Sequence, residues 1–204
     1  DNPPAPADAK MMKTLRSVGI EPGKDFDISA VGGHIAKGLQ RAMGLHYNRA
    51  MFEAAGLDPD EPPTSWDEVR EYAKAISDAT GQAGYAQMTQ DSTGGWVLTT
   101  VTNALGGRVE DGTGDEVSAS LDNPATVEAL EMLQAMRWED DSLGDNFLLD
   151  WGGINQAFAA GQVGMYLSGS DVYNSLVTEN SVDPGSYGLT IIPLDGDDAG
   201  VLGG

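Results

Sequence analysis

Apolar positions in this chain fall into short blocks whose spacing switches repeatedly between helical and extended periods. Residues 1 to 44 start Pro-rich, then predict a helix from Ala9 to Val18, a turn at "GIEPGKDFD" and a second helix from Ile35 to Met43. From Leu45 the texture changes. "LHY" is short and apolar, "NRAMFEAAG" gives two helical turns ended by Gly56, and "LDPDEPPT" is non-helical because each Pro pushes its predecessor toward extended geometry.

Ser65 followed three residues later by Glu68 forms a capping box, so a helix is predicted from Trp66. Trp66, Val69, Tyr72 and Ile76 give it one buried stripe, and Gly81 ends it. Next come a strand at "GYAQM", a polar loop "TQDSTGG", a helix from Trp96 to Leu105 and a hairpin-like "GGRVEDGTGDE". Asp122 or Asn123 caps a further helix, with Pro124 in its first turn, that runs through Val127, Leu130, Leu133 and Trp138. A helix from Gly153 to Ala160, the strand "VGMYLSGS", a helix from Val172 to Thr178 and the strand "YGLTIIP" complete the pattern. Alternating strands and helices predict an α/β fold, a layered sheet with flanking helices.

Composition narrows the function classes. Cysteine is absent, which excludes disulfides, thiolate zinc sites and cysteine nucleophiles. The 32 acidic and 11 basic residues give a formal charge of −21, which repels nucleic-acid phosphates and anionic lipid heads. The aspartates crowd loops such as "WEDDSLGDN" and "LDGDDAG", read as a solvated acidic coat, with hard-cation binding the alternative. No run approaches the ~20 apolar residues that span a bilayer, and no basic, apolar export signal opens the sequence.

Catalytic patterns are missing. His34 and His46 stand in no metal-ligand spacing, no phosphate-cradling loop is present, and Ser168 and Ser170 lack the G-x-S-x-G spacing and a downstream His. Asp150 beside Trp151, or Asp91 near Trp96, is the pairing on which a glycan-active enzyme would rest. What remains is aromatic faces beside polar neighbours: Trp96 at a helix start, Trp151 after a polar loop, Tyr173 just past a buried strand. Each serves either as core filler or as a platform for the C–H face of a sugar ring.

"GLHYNRAMFEAAGLDPDEPPTSWDEVREYAKAI" resembles the segment of family 1 extracellular solute-binding proteins, the sugar-binding subunits of ABC importers, where the chain enters the second lobe. "LGGRVEDG", "LDNPATVEALEMLQAM", "INQAFAAGQVGMYLSGS" and "YGLTIIPLDGDDAGVLGG" resemble later family segments in the expected order, over residues 44 to 204. The resemblance implies a periplasmic-binding-protein-like lobe that closes on its ligand against a second lobe, without chemistry and without a cofactor. It places "LHYN" near the crossing between lobes. It implies ligand contacts at Gln90, Asp91 and Trp96 in "QDSTGGW", at Ser170, Asp171 and Tyr173 in "SGSDVY", and at Gly203 and Gly204, with Trp151 as a further platform. Many relatives carry an aromatic where this chain has Asp171. The implied partners are a sugar or polyol and the membrane subunits of an importer, and the implied state is an extracytoplasmic monomer. A structural or interaction module is the rival class. A full member is about twice as long. Residues 1 to 43 resemble a segment of a different, β-rich bacterial family, so the sequence predicts a join near Met43.

Overall fold

The computed structural model of the chain describes residues 43–112 and 116–195. These lie in the second of two units, Asp1–Gln40 and Arg41–Gly204. The helix predicted at Ala9 to Val18, all but the last residue of that from Ile35 to Met43, His34, Gly203 and Gly204 fall outside the described residues.

Met43 itself opens strand β1 (Met43–Asn48) and does not end a helix. Its partners explain the difference, since Met43 pairs with Gly169 and Gly44 with Ile191, contacts that no local pattern encodes. Asn48 then caps a short helix α1 (Arg49–Ala54), its Oδ1 accepting from the Met51 amide at 3.2 Å. The Pro-rich elbow is tied back to this start. The Tyr47 hydroxyl and Arg49 Nη1 both donate to the Pro59 carbonyl, at 3.0 and 2.9 Å.

Helix α2 (Trp66–Thr80) begins where the capping box predicts, with Ser65 Oγ accepting from the Glu68 amide at 3.1 Å. The reciprocal bond is displaced by one residue. Glu68 Oε2 accepts from the backbone amide and hydroxyl of Thr64, at 2.6 and 2.8 Å, and these bonds hold its carboxyl below the usual range. Gly81 ends the helix in the left-handed region at φ 67°. Trp66, Val69, Ala73 and Ile76 form the buried stripe, and Tyr72 is half-buried.

Strand β2 (Ala83–Ala86) leads to α3 (Thr93–Ala104), a small hairpin of β3 (Glu110–Asp111) and β4 (Ser118–Ala119), and α4 (Pro124–Trp138). Asn123, not Asp122, caps α4 by accepting from the Thr126 amide at 3.0 Å. Several large residues of this helix face outward. Val127, Leu130 and Trp138 are exposed, Trp138 by 75%, while Ala125, Thr126, Ala129, Ala135 and Met136 are buried. The small residues face α3, where the Thr102 and Thr126 hydroxyls meet at 3.3 Å and larger side chains would hold the helices apart.

Helix α5 (Trp151–Ala159), strand β5 (Val163–Gly169), helix α6 (Val172–Thr178), a 3-10 turn (Pro184–Ser186) and strand β6 (Tyr187–Ile191) follow. The main sheet runs β2-β5-β1-β6. β5 pairs parallel with β2 and antiparallel with β1, and β1 pairs antiparallel with β6. All seven residues of β5 are buried, as its unbroken small and apolar run requires. Two glycines let α2 lie against the sheet. A Cβ on Gly84 would stand 1.8 Å from the Ala73 carbonyl oxygen, and one on Gly164 would stand 2.9 Å from Ile76 Cγ2.

A layer of rings fills the sheet beside α5. His46 of β1 faces Tyr166 of β5 across the strand pair, with ring centroids 4.9 Å apart, and Phe158 of α5 lies 5.1 Å from Tyr166. The His46 Nε2 lies 3.3 Å from the Ser168 carbonyl, which only accepts, so Nε2 carries the proton and Nδ1 accepts from the Tyr187 hydroxyl at 2.7 Å. Burial lowers the His46 pKa to about 4, outweighing the backbone bonds to Ser168 and Gly169 that raise it.

Two tests follow from this packing. Gly84→Ala should destabilise the chain by several kcal/mol in chemical denaturation, because backbone sits where the methyl would go. Between about pH 6.5 and 4 an unfolded His46 takes a proton that the folded one refuses. The wild type should therefore lose stability as pH falls through that window, by up to ~1.4 kcal/mol per unit. A His46→Gln variant should show a flatter melting-temperature profile over the same range.

Candidate functional site

Because β2 and β5 run parallel, their carboxyl ends share one edge of the sheet. The antiparallel register of β1 and β6 brings the start of β1 and the end of β6 to the same edge, with Met43 opposite Gly169 and Gly44 opposite Ile191. Loops that follow strand ends on such an edge are where open α/β sheets hold ligands. The segments after β2 and β5 carry Gln90, Asp91, Trp96, Ser170, Asp171 and Tyr173, six of the residues implicated from the sequence.

The loop after β2 is strapped to residues 147–149. Met88 forms a parallel bridge with Leu149, and the Thr89 and Gln90 amides both donate to the Leu149 carbonyl, at 3.0 and 3.1 Å. The Thr89 hydroxyl donates to the Phe147 carbonyl. Gln90 and Asp91 are exposed, and Asp91 takes a left-handed φ of 56°. Thr93 then opens α3 three residues before Trp96, its hydroxyl donating to the Gln90 carbonyl at 2.6 Å.

The strap delivers a second aromatic. Asp150 Oδ1 accepts from the Gly153 amide at 2.7 Å, so its carboxylate caps α5 and the helix starts at Trp151, two residues before the predicted Gly153. The Trp151 indole, 40% exposed, stands 5.3 Å from that of Trp96 at an interplanar angle of 41°. The sequence separates these residues by more than fifty positions, and the strap brings them together.

The turn after β5 carries the remaining set. The Asp171 carboxylate folds back over Gly169, where an added Cβ would lie 2.5 Å from its Oδ1. Ser170 is half-buried, Asp171 is exposed, and Tyr173, 38% exposed, sits in the first turn of α6. The Tyr173 ring lies 5.2 Å from Tyr187, a residue that sequence reasoning missed. Nothing local marks Tyr187, since its hydroxyl acceptor His46 is 141 residues away.

The candidate residues thus include two tilted aromatic pairs, Trp96 with Trp151 and Tyr173 with Tyr187, with Gln90 and Asp91 in the loop before α3 and Ser170 and Asp171 in the turn after β5. Helix α5 connects them. Trp151 begins it, Asn155 accepts from the Tyr166 hydroxyl at 2.9 Å, and Phe158 lies 6.2 Å from Tyr187. Clefts of about 630 and 420 Å³ open elsewhere, one beside Pro62, Pro63 and Tyr72, the other beside Asp78, Gln82 and Asp140. None of these site residues lines either cleft.

The acidic loop "WEDDSLGDN" is engaged by arginines. Asp140 accepts from Arg70 Nε at 2.5 Å, and Asp141 and Asp145 lie 4.0 and 3.7 Å from Arg137 Nη1. Among the described residues no cluster of three or more His, Cys, Asp or Glu is arranged to hold a metal ion. No helix among them is long and apolar enough to cross a membrane.

Comparison with known proteins identifies the architecture. A family model described as bacterial extracellular solute-binding protein matches residues 8–204. The sn-glycerol-3-phosphate-binding periplasmic protein UgpB of Escherichia coli K12 is 25% identical over 158 residues, 75% of this chain and 34% of that protein. An ABC transporter solute-binding protein from Thermotoga lettingae, solved with α-D-tagatose, has a TM-score of 0.68 at 26% identity, covering 78% of this chain and 40% of its own. The cyclic α-maltosyl-1,6-maltose binding protein of Arthrobacter globiformis has a TM-score of 0.62 at 27% identity, over 78% and 38%. The chain thus spans well under half the length of each relative. With a matching model over most of its residues, it belongs to the family of bacterial extracellular solute-binding proteins.

Proposed function

We propose that the chain is one lobe of an extracytoplasmic, monomeric receptor that binds a sugar or polyol and passes it unchanged to the membrane subunits of an ABC importer. The observation that carries this reading is the pairing of Trp96 with Trp151 at the carboxyl-terminal edge of the sheet. Flat indole faces suit the C–H side of a sugar ring, and Gln90, Asp91, Ser170 and Asp171 offer hydrogen bonds to its hydroxyls. Gly203 and Gly204 complete the proposed contacts.

Relatives support a polyhydroxylated ligand, since those named above bind glycerol phosphate, tagatose and a cyclic maltosaccharide. The formal charge of −21 favours a neutral polyol over a phosphate ester. A binding role without chemistry fits a family of solute receptors and the engagement of the Asp150 carboxylate as a helix cap. The division of the chain near Met43 is likewise a proposal. It rests on the unlike texture of residues 1 to 43, and the family match runs through it from residue 8.

Thermal shift with millimolar D-tagatose, maltose, D-mannitol and sn-glycerol-3-phosphate tests the reading. At least one neutral polyol should raise the melting temperature and perturb tryptophan fluorescence. Trp96→Ala and Trp151→Ala should each weaken binding roughly tenfold, near the upper end expected for an aromatic stack. A folded protein unmoved by all four compounds overturns the sugar assignment.

A further inference from the structure

We infer that Tyr187 and His46 are positioning residues for the Tyr173 platform: a buried relay from the Ser168 carbonyl, through the imidazole and the Tyr187 phenol, fixes the angle Tyr173 presents to a ligand. This rests on the proposed function, because it assigns Tyr173 a ligand-facing role.

The contacts form a closed circuit. Ser168 is the penultimate residue of β5, and its carbonyl accepts from His46 Nε2. His46 Nδ1 accepts from Tyr187, and the Tyr187 ring meets that of Tyr173. Tyr173 itself lies five residues beyond Ser168, so the circuit bridges the whole turn that carries Ser170 and Asp171. Three strands contribute: His46 stands opposite Tyr166 of β5 and Leu189 of β6 in register.

The two ends of the circuit differ in how firmly they are held. The Tyr187 ring is fixed by its hydroxyl at His46, by Phe158 in an edge contact at 6.2 Å, and by a buried position. Tyr173 sits on a seven-residue helix with over a third of its surface exposed, and its ring contact is with Tyr187. Orientation therefore passes from the buried ring to the exposed one. A phenylalanine at 187 would fill the same volume without direction, since stacking alone leaves a ring free to slide. The hydroxyl bond supplies the direction, and both nitrogens of the buried imidazole are engaged, Nδ1 by the Tyr187 hydroxyl and Nε2 by the Ser168 carbonyl.

The experiment is a mutant cycle on the full chain, with D-tagatose as probe and binding read by fluorescence titration. Tyr187→Phe should weaken binding three- to tenfold in the wild-type background and less than twofold in a Tyr173→Ala background. Equal losses in both backgrounds, or no loss in the first, overturn the relay. A ligand-free readout separates this from failure of the sugar assignment. In isotope-labelled tyrosine spectra, with the Tyr173 signal assigned by Tyr173→Phe, both Tyr187→Phe and His46→Gln should shift or broaden Tyr173. An unchanged Tyr173 signal in folded variants overturns the relay even where tagatose does not bind, and a shifted signal without binding confines the failure to the ligand.

Discussion

The structure turns on the two pairings of β5. This strand is buried along its length, lies parallel to β2 and antiparallel to β1, and thereby sets which ends of those two strands meet its own carboxyl end. Were β2 antiparallel to β5, the loop carrying Trp96 would leave the opposite end of the sheet from the turn carrying Tyr173. The parallel pairing needs helices over the sheet to bury it, and Gly84 admits the backbone of α2 while Gly164 admits its Ile76 side chain. A single topological choice, held by two glycines and a helix, thus assembles residues from distant parts of the chain at one edge.

Much of the fold was legible because its signals are local. Ser65 and Glu68 announced α2, Gly81 its end, and Pro124 the start of α4, each through backbone chemistry within four residues. The errors share a non-local cause. Met43 reads as helical from its neighbours, yet pairing with Gly169 makes it strand. The helix that runs through Val127, Leu130, Leu133 and Trp138 leaves Val127, Leu130 and Trp138 exposed and buries Ala125, Thr126, Ala129, Ala135 and Met136, a choice of face set by its neighbours. At the site, each Trp was visible as an aromatic beside polar neighbours, but their pairing depends on the Leu149 carbonyl gathering two amides of another loop. Tyr187 and His46 carried no such flag, since a tyrosine opening a strand and a lone histidine look like ordinary core.

Charge plays a supporting part. Asp140 takes two bonds from the Arg70 guanidinium, and Asp141 and Asp145 lie near Arg137, so the densest acidic loop is partly neutralised at its base. Arg137 also lies 5.0 Å from the Trp138 ring and 5.2 Å from that of Phe147, joining the end of α4 to the segment that straps the Trp96 loop. A loop that carries four of the 32 acidic residues thus sits beside the segment that straps the Trp96 loop.

The two aromatic pairs are held from beneath by contacts within the described residues. In the proposed function a ligand on one open face keeps water on its other side, so such a surface gains little from burial and relies on rings that are already set. Three devices set them. Asp150 fixes the first turn of α5 under Trp151, the Leu149 carbonyl fixes the loop before Trp96, and Tyr187 backs Tyr173 from the core. Helix α5 ties the first and last together, because Phe158, two turns beyond Trp151, touches the Tyr187 ring that steadies Tyr173. Displacing that helix would disturb both aromatic pairs at once, which makes it the mechanical link between the two halves of the surface.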